Sequence, residues 1–222
     1  MAEAISGDEF AVRRQHMVDS QLRTFDVTDQ AVLAAFAFAP REAFVAPAFA
    51  SLAYFDRDVA ALGAIDRRLL APMVLARLIQ AAKVRPGETA LDVAGGSGYS
   101  AAILASLGAQ VVALESDEGA VAAARNLLAA EKSIKIVAGD LAEGIAGGLF
   151  DVILVNGAFE RHPQKLLSQL AEGGRLVGVD SSFSSPRAVL IESFGGVTSR
   201  RVLFDAAAAK LEDFRQAPSF AF

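Results

Sequence analysis

Short apolar runs alternate with longer segments of helical periodicity along the chain beyond residue 88. A continuous apolar run bounded by turn residues is typical of a buried strand, whereas apolar residues spaced three and four positions apart are typical of a helix that packs on one side. The pattern predicts a helix that starts at Tyr99, further helices at 118–130 and 164–170, and strands at 89–93, 110–115, 134–138, 150–155 and 176–179. Residues 172–175 form a predicted turn, and 187–192 pairs with 201–204 in a closing antiparallel hairpin.

The first part of the chain has a helical pattern without alternating strands. Helices are predicted at 8–22, at 28–38 with Thr28 as N-cap and Pro40 as the stop, and at 69–82 with Pro72 near its start. Residues 41–45 form a short turn or helix, and 56–65 have no regular pattern. We interpret about 8–82 as an N-terminal helical elaboration of a single domain, 1–222, whose α/β core is about 88–222.

About seven strands with helices between most of them predict an α/β fold. Strands that alternate with helices form a mostly parallel sheet with right-handed crossovers. The fold class is therefore a doubly wound, seven-stranded, mostly parallel sheet with helices on both faces. In such a sheet, ligands bind beyond the carboxyl ends of the strands.

Composition narrows the classes of function. The 222 residues are 53% hydrophobic, which is enough for a full core, and they include no cysteine, which excludes disulfides and thiolate metal sites. No metal site is predicted. The formal net charge is −5 without a cluster of Lys and Arg, so no nucleic-acid partner is expected. No apolar run is long enough to span a membrane, and the acidic N-terminus is no secretory signal, so a cytoplasmic location is the default.

A glycine-rich turn between a strand and a helix is the main candidate site. The strand at 89–93 leads into Gly95, Gly96 and Gly98, and the helix from Tyr99 follows. Glycines permit a tight turn and close approach of the backbone to a ligand, and the amides at a helix N-terminus suit an anionic group. The alternative is that the glycines serve only the geometry of the turn.

Acidic and amide side chains at the ends of the following strands extend this site. Glu115 lies about 20 residues beyond the turn, where a carboxylate can accept both hydroxyls of a ribose. It could instead cap the next helix, but Asp117 is placed to do so, which leaves Glu115 free for a ligand. Asp140 either accepts from the exocyclic amine of an adenine or belongs to a Gly-Asp turn. Asn156 follows a further strand at the same edge.

Several segments together resemble the protein-L-isoaspartate (D-aspartate) O-methyltransferase family, within the Rossmann-like class I S-adenosylmethionine methyltransferases. The resemblance covers about residues 13 to 180. In the core it comprises Leu91-Asp92-Val93, Gly96-Ser97-Gly98-Tyr99, Glu115, Gly139-Asp140, Phe150-Asp151 and Gly173-Gly174-Arg175-Leu176-Val177. The N-terminal match includes Met17-Val18, Gln21-Leu22-Arg23, Val27-Thr28-Asp29, Val32-Leu33, Pro40-Arg41-Glu42, Phe44-Val45, Ala53-Tyr54 and Asp56.

The resemblance implies S-adenosylmethionine as cofactor and methyl transfer to the carboxylate of isomerised aspartyl residues in a protein or peptide. It places Gly96, Ser97 and Gly98 at the methionine moiety, Glu115 at the ribose and Asp140 near the adenine. The expected cofactor-binding residues are Asp92, Ala94, Gly95, Gly96, Ser97, Gly98, Glu115, Ser116, Asp140, Leu141 and Asn156. Oligomeric state is not predicted.

Two positions depart from the family pattern. Ala94 stands where the turn normally begins with glycine, and its methyl group is tolerable at a negative φ but could crowd the cofactor. The family's Thr-Ile-Ser-x-Pro-like segment, whose hydroxyls meet the isoaspartyl substrate, here ends at Pro72, with Arg68 at the threonine position and Leu70 at the serine position. Arg67 or Arg68 could pair with a carboxylate instead, or both could be solvated.

A carboxylate acceptor is already ionised at neutral pH, so methyl transfer to it requires no strong base. Three residues are candidates for a catalytic role: Arg68, Asn156 and His162, the last as a base for an amine or hydroxyl acceptor or simply as part of a loop that opens a helix. Two alternatives accompany the repair methyltransferase: the same cofactor with another acceptor, or a non-catalytic descendant that binds a partner. A nicotinamide oxidoreductase is disfavoured because its glycine spacing is absent.

Overall fold

A seven-stranded sheet forms the centre of the computed structural model, which describes residues 5–216. Along the chain the strands are β1 (Val59–Ala60), β2 (Arg68–Leu69), β3 (Thr89–Val93), β4 (Gln110–Glu115), β5 (Ile134–Ala138), β6 (Phe150–Phe159), β7 (Leu170–Asp180), β8 (Arg187–Phe194) and β9 (Val197–Asp205). The large sheet has the order β5-β4-β3-β6-β7-β8-β9, and β1 and β2 form a separate antiparallel ribbon. Strands β3 to β7 run parallel, and β8 and β9 complete the sheet in antiparallel pairs. The predicted fold class is confirmed.

In the part of the chain that the structure describes, six α-helices accompany the strands: α1 (Gly7–Met17), α2 (Gln30–Phe38), α3 (Pro72–Ala82), α4 (Tyr99–Ser106), α5 (Glu118–Leu127) and α6 (Gln164–Leu167). A π-helical turn, Val18–Leu22, continues α1. The 3₁₀ segments are Arg23–Phe25, Arg41–Phe44, Pro47–Leu52 and Glu212–Phe214. No helix among residues 5–216 combines the length and the apolar character that a membrane crossing needs.

Alternate residues of the buried strands point to opposite faces of the sheet, and each face has its own core. On β3, Ala90 belongs to the core that includes side chains from α1, α2, α3 and α4, whereas Leu91 and Val93 belong to the second. The second core is covered by α6 and by the segment that holds Phe214. Helix α3 packs on the sheet, α2 packs on α3 and α4, and the N-terminal helices therefore share a core with the sheet.

Some element boundaries differ from the sequence prediction because side chains and strand pairing override local pattern. Asp29, not Thr28, caps α2, since its carboxylate accepts from the amides of Ala31 and Val32. Helix α3 begins at Pro72 rather than at residue 69, because Leu69 pairs with Val59 in the ribbon. Helix α5 ends at Leu127 and α6 at Leu167, both earlier than predicted.

The strands at the centre of the sheet are longer than the pattern indicates. β6 continues through Phe159, so Asn156 lies within a strand instead of following it. β7 begins at Leu170 and includes the segment 172–175 that was predicted as a turn. Irregular register between β6 and β7 accommodates this segment, in which Gly173 has a φ of +72°. Pairing with a neighbouring strand supplied backbone hydrogen bonds that the local sequence did not reveal.

Arg175 on β7 joins the ends of several elements. Its guanidinium donates to both carboxylate oxygens of Glu88, at 2.9 and 2.6 Å, and to the carbonyls of Ala82, Lys83 and Asp151. The Arg175 and Glu88 side chains are only 12% and 15% exposed. A planar guanidinium can satisfy these acceptors at once, which a lysine ammonium cannot.

We predict that Arg175→Lys lowers the free energy of unfolding by about 2 kcal/mol, because buried acceptors lose their donors. Urea denaturation measures the effect. Arg187→Lys is the matched control, because Arg187 pairs with the exposed Asp205 near the surface, and it should change stability by less than about 0.5 kcal/mol. Equal effects for the two variants would contradict the conclusion that Arg175 stabilises the fold by joining the ends of several elements.

Candidate functional site

The turn that follows β3 has a left-handed backbone at three positions. The φ values are +59° at Ala94, +62° at Gly96 and +96° at Gly98, and Gly98 is the N-cap of α4. Ala94 therefore does not have the negative φ that would make a side chain easy to accommodate. Its methyl group is fully buried in the second core, where packing offsets a conformation that costs a non-glycine residue roughly 1–2 kcal/mol.

Contacts within the protein account for each glycine of the turn. A Cβ at Gly95 would overlap a carboxylate oxygen of Asp92, and one at Gly98 would lie 2.6 Å from Leu128 Cδ1. A Cβ at Gly96 would lie 2.8 Å from Ala61 Cβ and 3.2 Å from Arg67 Cγ. The structural explanation for the glycines therefore holds, and Gly96 is the one that faces residues 61–67. We call these residues the β1–β2 loop.

Asp92 at the end of β3 is the centre of a buried polar network. Its carboxylate accepts from Asn156 Nδ2 at 2.7 Å and from Ser100 Oγ at 2.8 Å, and Asn156 also donates to the carbonyl of Val93 at 3.0 Å. The pKa of Asp92 is raised to about 6, chiefly by burial and also by the nearby Glu115, while the two side-chain hydrogen bonds oppose the shift. Asn156 holds Asp92 in place, and both of its amide donor contacts are made within the protein.

Glu115 is not free for a ligand in this structure, contrary to the expectation from sequence. Its carboxylate forms an ion pair with Arg67, whose Nη2 lies 2.9 Å from Oε1 and whose Nε lies 3.1 Å from each oxygen. The amides of Gly96, Ser116 and Asp117 also donate to it, at 3.0, 2.8 and 3.1 Å. Asp117 caps α5 as predicted, through the amide of Ala120. The cap was assigned correctly, but the arginine partner was not anticipated for Glu115.

The β1–β2 loop lies across the turn and the start of α5. The amide of Ile65 donates to Asp117 Oδ2 at 3.1 Å, and the amide of Leu62 donates to the carbonyl of Phe44 at 2.9 Å. Gly63 packs so closely on Gly119 that a Cβ on either would overlap the other's backbone. The loop is therefore anchored on both sides of the carboxylate that it covers.

The remaining predicted cofactor residues lie along the same edge but have partners within the chain. Ser97 is buried and donates to the carbonyl of Phe44 at 2.5 Å, and Ser116 Oγ accepts from Arg67 at 3.1 Å. Asp140 is exposed, and its Oδ1 accepts from the amides of Ala142 and Glu143, which is the turn geometry considered as its alternative role. Leu141 is fully buried in the second core.

The residues considered for binding the methyl acceptor differ from one another in burial. Leu70 is buried, and its carbonyl accepts from the buried Arg41 at 2.7 Å, so the position of the family's serine is part of the core. Arg68 is exposed on β2, and His162 is exposed in the loop before α6. Of the two arginines considered for a carboxylate, Arg67 pairs with one and Arg68 faces solvent. Within residues 5–216, no three His, Asp or Glu side chains are grouped to hold a metal ion.

Sequence reasoning missed two features of this site. Arg67 was considered as a partner for an acceptor's carboxylate, but its partner is Glu115, 48 positions along the chain. The network of Asp92, Ser100 and Asn156 was also missed, although the polar residues at the ends of two apolar strands were visible. Neighbouring strand ends in a parallel sheet are where such side chains meet.

The comparisons with known proteins agree with one another. A family model described as Protein-L-isoaspartate(D-aspartate) O-methyltransferase (PCMT) matches residues 12–184. A protein-L-isoaspartate O-methyltransferase of Gloeobacter violaceus is 40% identical over 190 residues, which cover 83% of this chain and 92% of that protein. One from Koribacter versatilis is 39% identical over 171 residues, which cover 76% of each chain.

Solved structures show the same fold. A crystal structure described as a putative protein-L-isoaspartate O-methyltransferase from Plasmodium falciparum, in complex with S-adenosyl-L-homocysteine, superposes with a TM-score of 0.76. The match covers 90% of this chain and 98% of that one at 22% sequence identity. Another structure described as a protein-L-isoaspartate O-methyltransferase has the same TM-score at 20% identity and covers 89% of this chain.

The raised pKa of Asp92 leads to a prediction about stability. The pKa of an aspartate in an unfolded chain is about 3.9, so the native state binds this proton more tightly than the unfolded state does. The contribution of Asp92 is therefore fully present below about pH 4 and is lost as the pH rises through about 6, and it amounts to about 3 kcal/mol.

Urea denaturation between pH 4 and pH 7.5 tests this prediction in the wild type and in Asp92→Asn. The variant should lack the part of the pH dependence that Asp92 supplies. Asp8→Asn, at an exposed position at the start of α1, controls for the loss of one carboxylate. Parallel stability curves for the wild type and Asp92→Asn would contradict the prediction.

Proposed function

Because the chain belongs to the protein-L-isoaspartate (D-aspartate) O-methyltransferase family, we propose that it methylates the carboxylate of isomerised aspartyl residues in proteins or peptides. The observation that carries the proposal is the 40% identity over 190 residues to a protein-L-isoaspartate O-methyltransferase of which the match covers 92%. The enzyme class is S-adenosylmethionine-dependent methyltransferase, and the fold agrees with that class.

The cofactor of this family supplies a methyl group bound to a sulfonium. In this chain, the backbone around Gly95, Gly96 and Gly98 would face its amino-acid part, Glu115 its ribose and Asp140 its adenine. The groups that such a cofactor needs are present, because a turn at a helix N-terminus and a carboxylate at the end of β4 lie at the same edge of the sheet. One position does not fit as arranged, since the oxygens of Glu115 already accept from Arg67.

The residues of this chain have a positioning role. A carboxylate acceptor is ionised near neutral pH, so no general base has to remove a proton from it. The protein must align the acceptor and exclude water, which contributes through proximity and orientation. Arg68, exposed on β2 at the position of the family's threonine, is the side chain that we assign to pair with the acceptor's carboxylate.

A different acceptor is the second candidate, and Leu70 is the observation that favours it. The side chain is buried in the first core and has no hydroxyl to orient an isoaspartyl carboxylate. His162 and Asn156 would matter for an acceptor that carries a proton, but His162 lies in an exposed loop and Asn156 is bound to Asp92.

Transfer of labelled methyl tests the proposed function. With radiolabelled S-adenosylmethionine, we expect label on an isoaspartyl peptide and none on the matched peptide with normal aspartate. Label on neither, at high concentration of folded protein, would contradict the repair reaction and direct attention to another acceptor or to a binding role.

Arg68→Ala should raise the KM for the isoaspartyl peptide several-fold with little change in kcat, because the arginine binds the acceptor before and during transfer.

Glu115→Ala tests the assignment of the ribose position. The variant removes a carboxylate that would accept two hydroxyls, so its affinity for S-adenosylhomocysteine should fall by about tenfold or more. Isothermal titration calorimetry measures the affinity, and circular dichroism verifies that the variant is folded. Glu118→Ala, an exposed acid in the first turn of α5, is the control. Unchanged affinity in folded Glu115→Ala would contradict the assignment.

A further inference from the structure

We propose that Arg67 competes with the cofactor for Glu115, so that the β1–β2 loop must release this carboxylate before the cofactor's ribose can bind. The inference rests on the proposed function, because it concerns the same cofactor site. In this proposal the Arg67 side chain, which lies in the cofactor site, lowers the affinity of the protein for the cofactor.

The hydrogen bonds of Glu115 carry the proposal. A carboxylate offers about four lone-pair sites. Here it accepts three amide bonds, from Gly96, Ser116 and Asp117, and further bonds from Nε and Nη2 of Arg67. No acceptor capacity is left for two ribose hydroxyls. The amides belong to the turn after β3 and to the start of α5, whereas Arg67 belongs to the β1–β2 loop.

The packing of the loop points to the same conclusion. Arg67 Cγ and Ala61 Cβ lie where a side chain on Gly96 would be, so the loop covers the turn as well as the carboxylate. Arg67 also donates to Ser116 Oγ at 3.1 Å. Hydrogen bonds from Ile65 to Asp117 and from Leu62 to Phe44 hold the loop on this surface. Departure of Arg67 is therefore coupled to movement of a loop that is anchored at its other end.

The ion pair is shielded from water, which makes it a strong internal competitor. The Arg67 side chain is 14% exposed and that of Glu115 is 4% exposed. Salt screens such a partly buried pair much less than it screens surface charges. A ligand that binds only the open state has an apparent dissociation constant equal to the intrinsic value divided by the fraction of open molecules. Removal of the guanidinium raises that fraction and tightens binding.

Calorimetric titration with S-adenosylhomocysteine tests the proposal in the wild type, Arg67→Gln and Arg67→Ala. We expect both variants to bind at least about tenfold more tightly than the wild type. Arg57→Gln is the matched control: it removes the same charge from an exposed residue that does not pair with Glu115, and its affinity should remain within about twofold. Three backbone amides still solvate Glu115 in the Arg67 variants, and thermal melting verifies their folding.

The possible outcomes separate this inference from the proposed function. Wild-type protein that binds S-adenosylhomocysteine as tightly as folded Arg67→Gln and Arg67→Ala would overturn the competition and leave the cofactor assignment intact. Failure of every folded variant to bind would overturn both. Hydrogen exchange on the wild type gives an answer without any variant: saturating S-adenosylhomocysteine should speed exchange of the amides at 62–67, and unchanged or slower exchange would overturn the proposal.

Discussion

Parallel pairing of three neighbouring strands is the constraint on which the site depends. Backbone hydrogen bonds align β3 with β4 and with β6, so that Val93 lies beside Leu114 and Val155. The residues that follow these positions include Glu115 and Asn156, which therefore meet the glycine-rich turn at one edge of the sheet. Since the strands are buried on both faces, a slip in register would place charged side chains in one of the two cores.

The two carboxylates at this edge are stabilised in different ways. Asp92 lies beneath the turn, shielded from water, and depends on one amide and one hydroxyl. Glu115 lies beside the turn and accepts from backbone amides and from a guanidinium. Burial raises the pKa of Asp92 to about 6, whereas a full positive charge contacts Glu115. Proteins of this fold class bind ligands at such an edge. Here most of the hydrogen bonds that the two carboxylates accept come from groups of the same chain.

The departure from the family pattern at Arg68 and Leu70 lies on β2 and directly after it. Leu70 joins the core, and its carbonyl is held by the buried guanidinium of Arg41, which also lies over the ring of Tyr99 at 4.9 Å. Arg67 and Arg68 are consecutive, yet their surroundings differ because successive residues near β2 point to opposite sides. One arginine turns inward to Glu115 and the other faces solvent, so two adjacent arginines have different surroundings.

The sequence by itself determined the order of the strands and helices of the core along the chain, the position of the glycine-rich turn and the cap at Asp117. These features depend on local periodicity, on backbone freedom at glycine and on the short reach of a capping side chain. Tertiary structure alone decided that Asn156 lies within β6, that Ala94 has a φ of +59°, and that Arg67 forms an ion pair with Glu115. The ion pair joins residues 48 positions apart, and nothing in the spacing of charges along a chain specifies which arginine reaches a carboxylate until the sheet and the loop are folded.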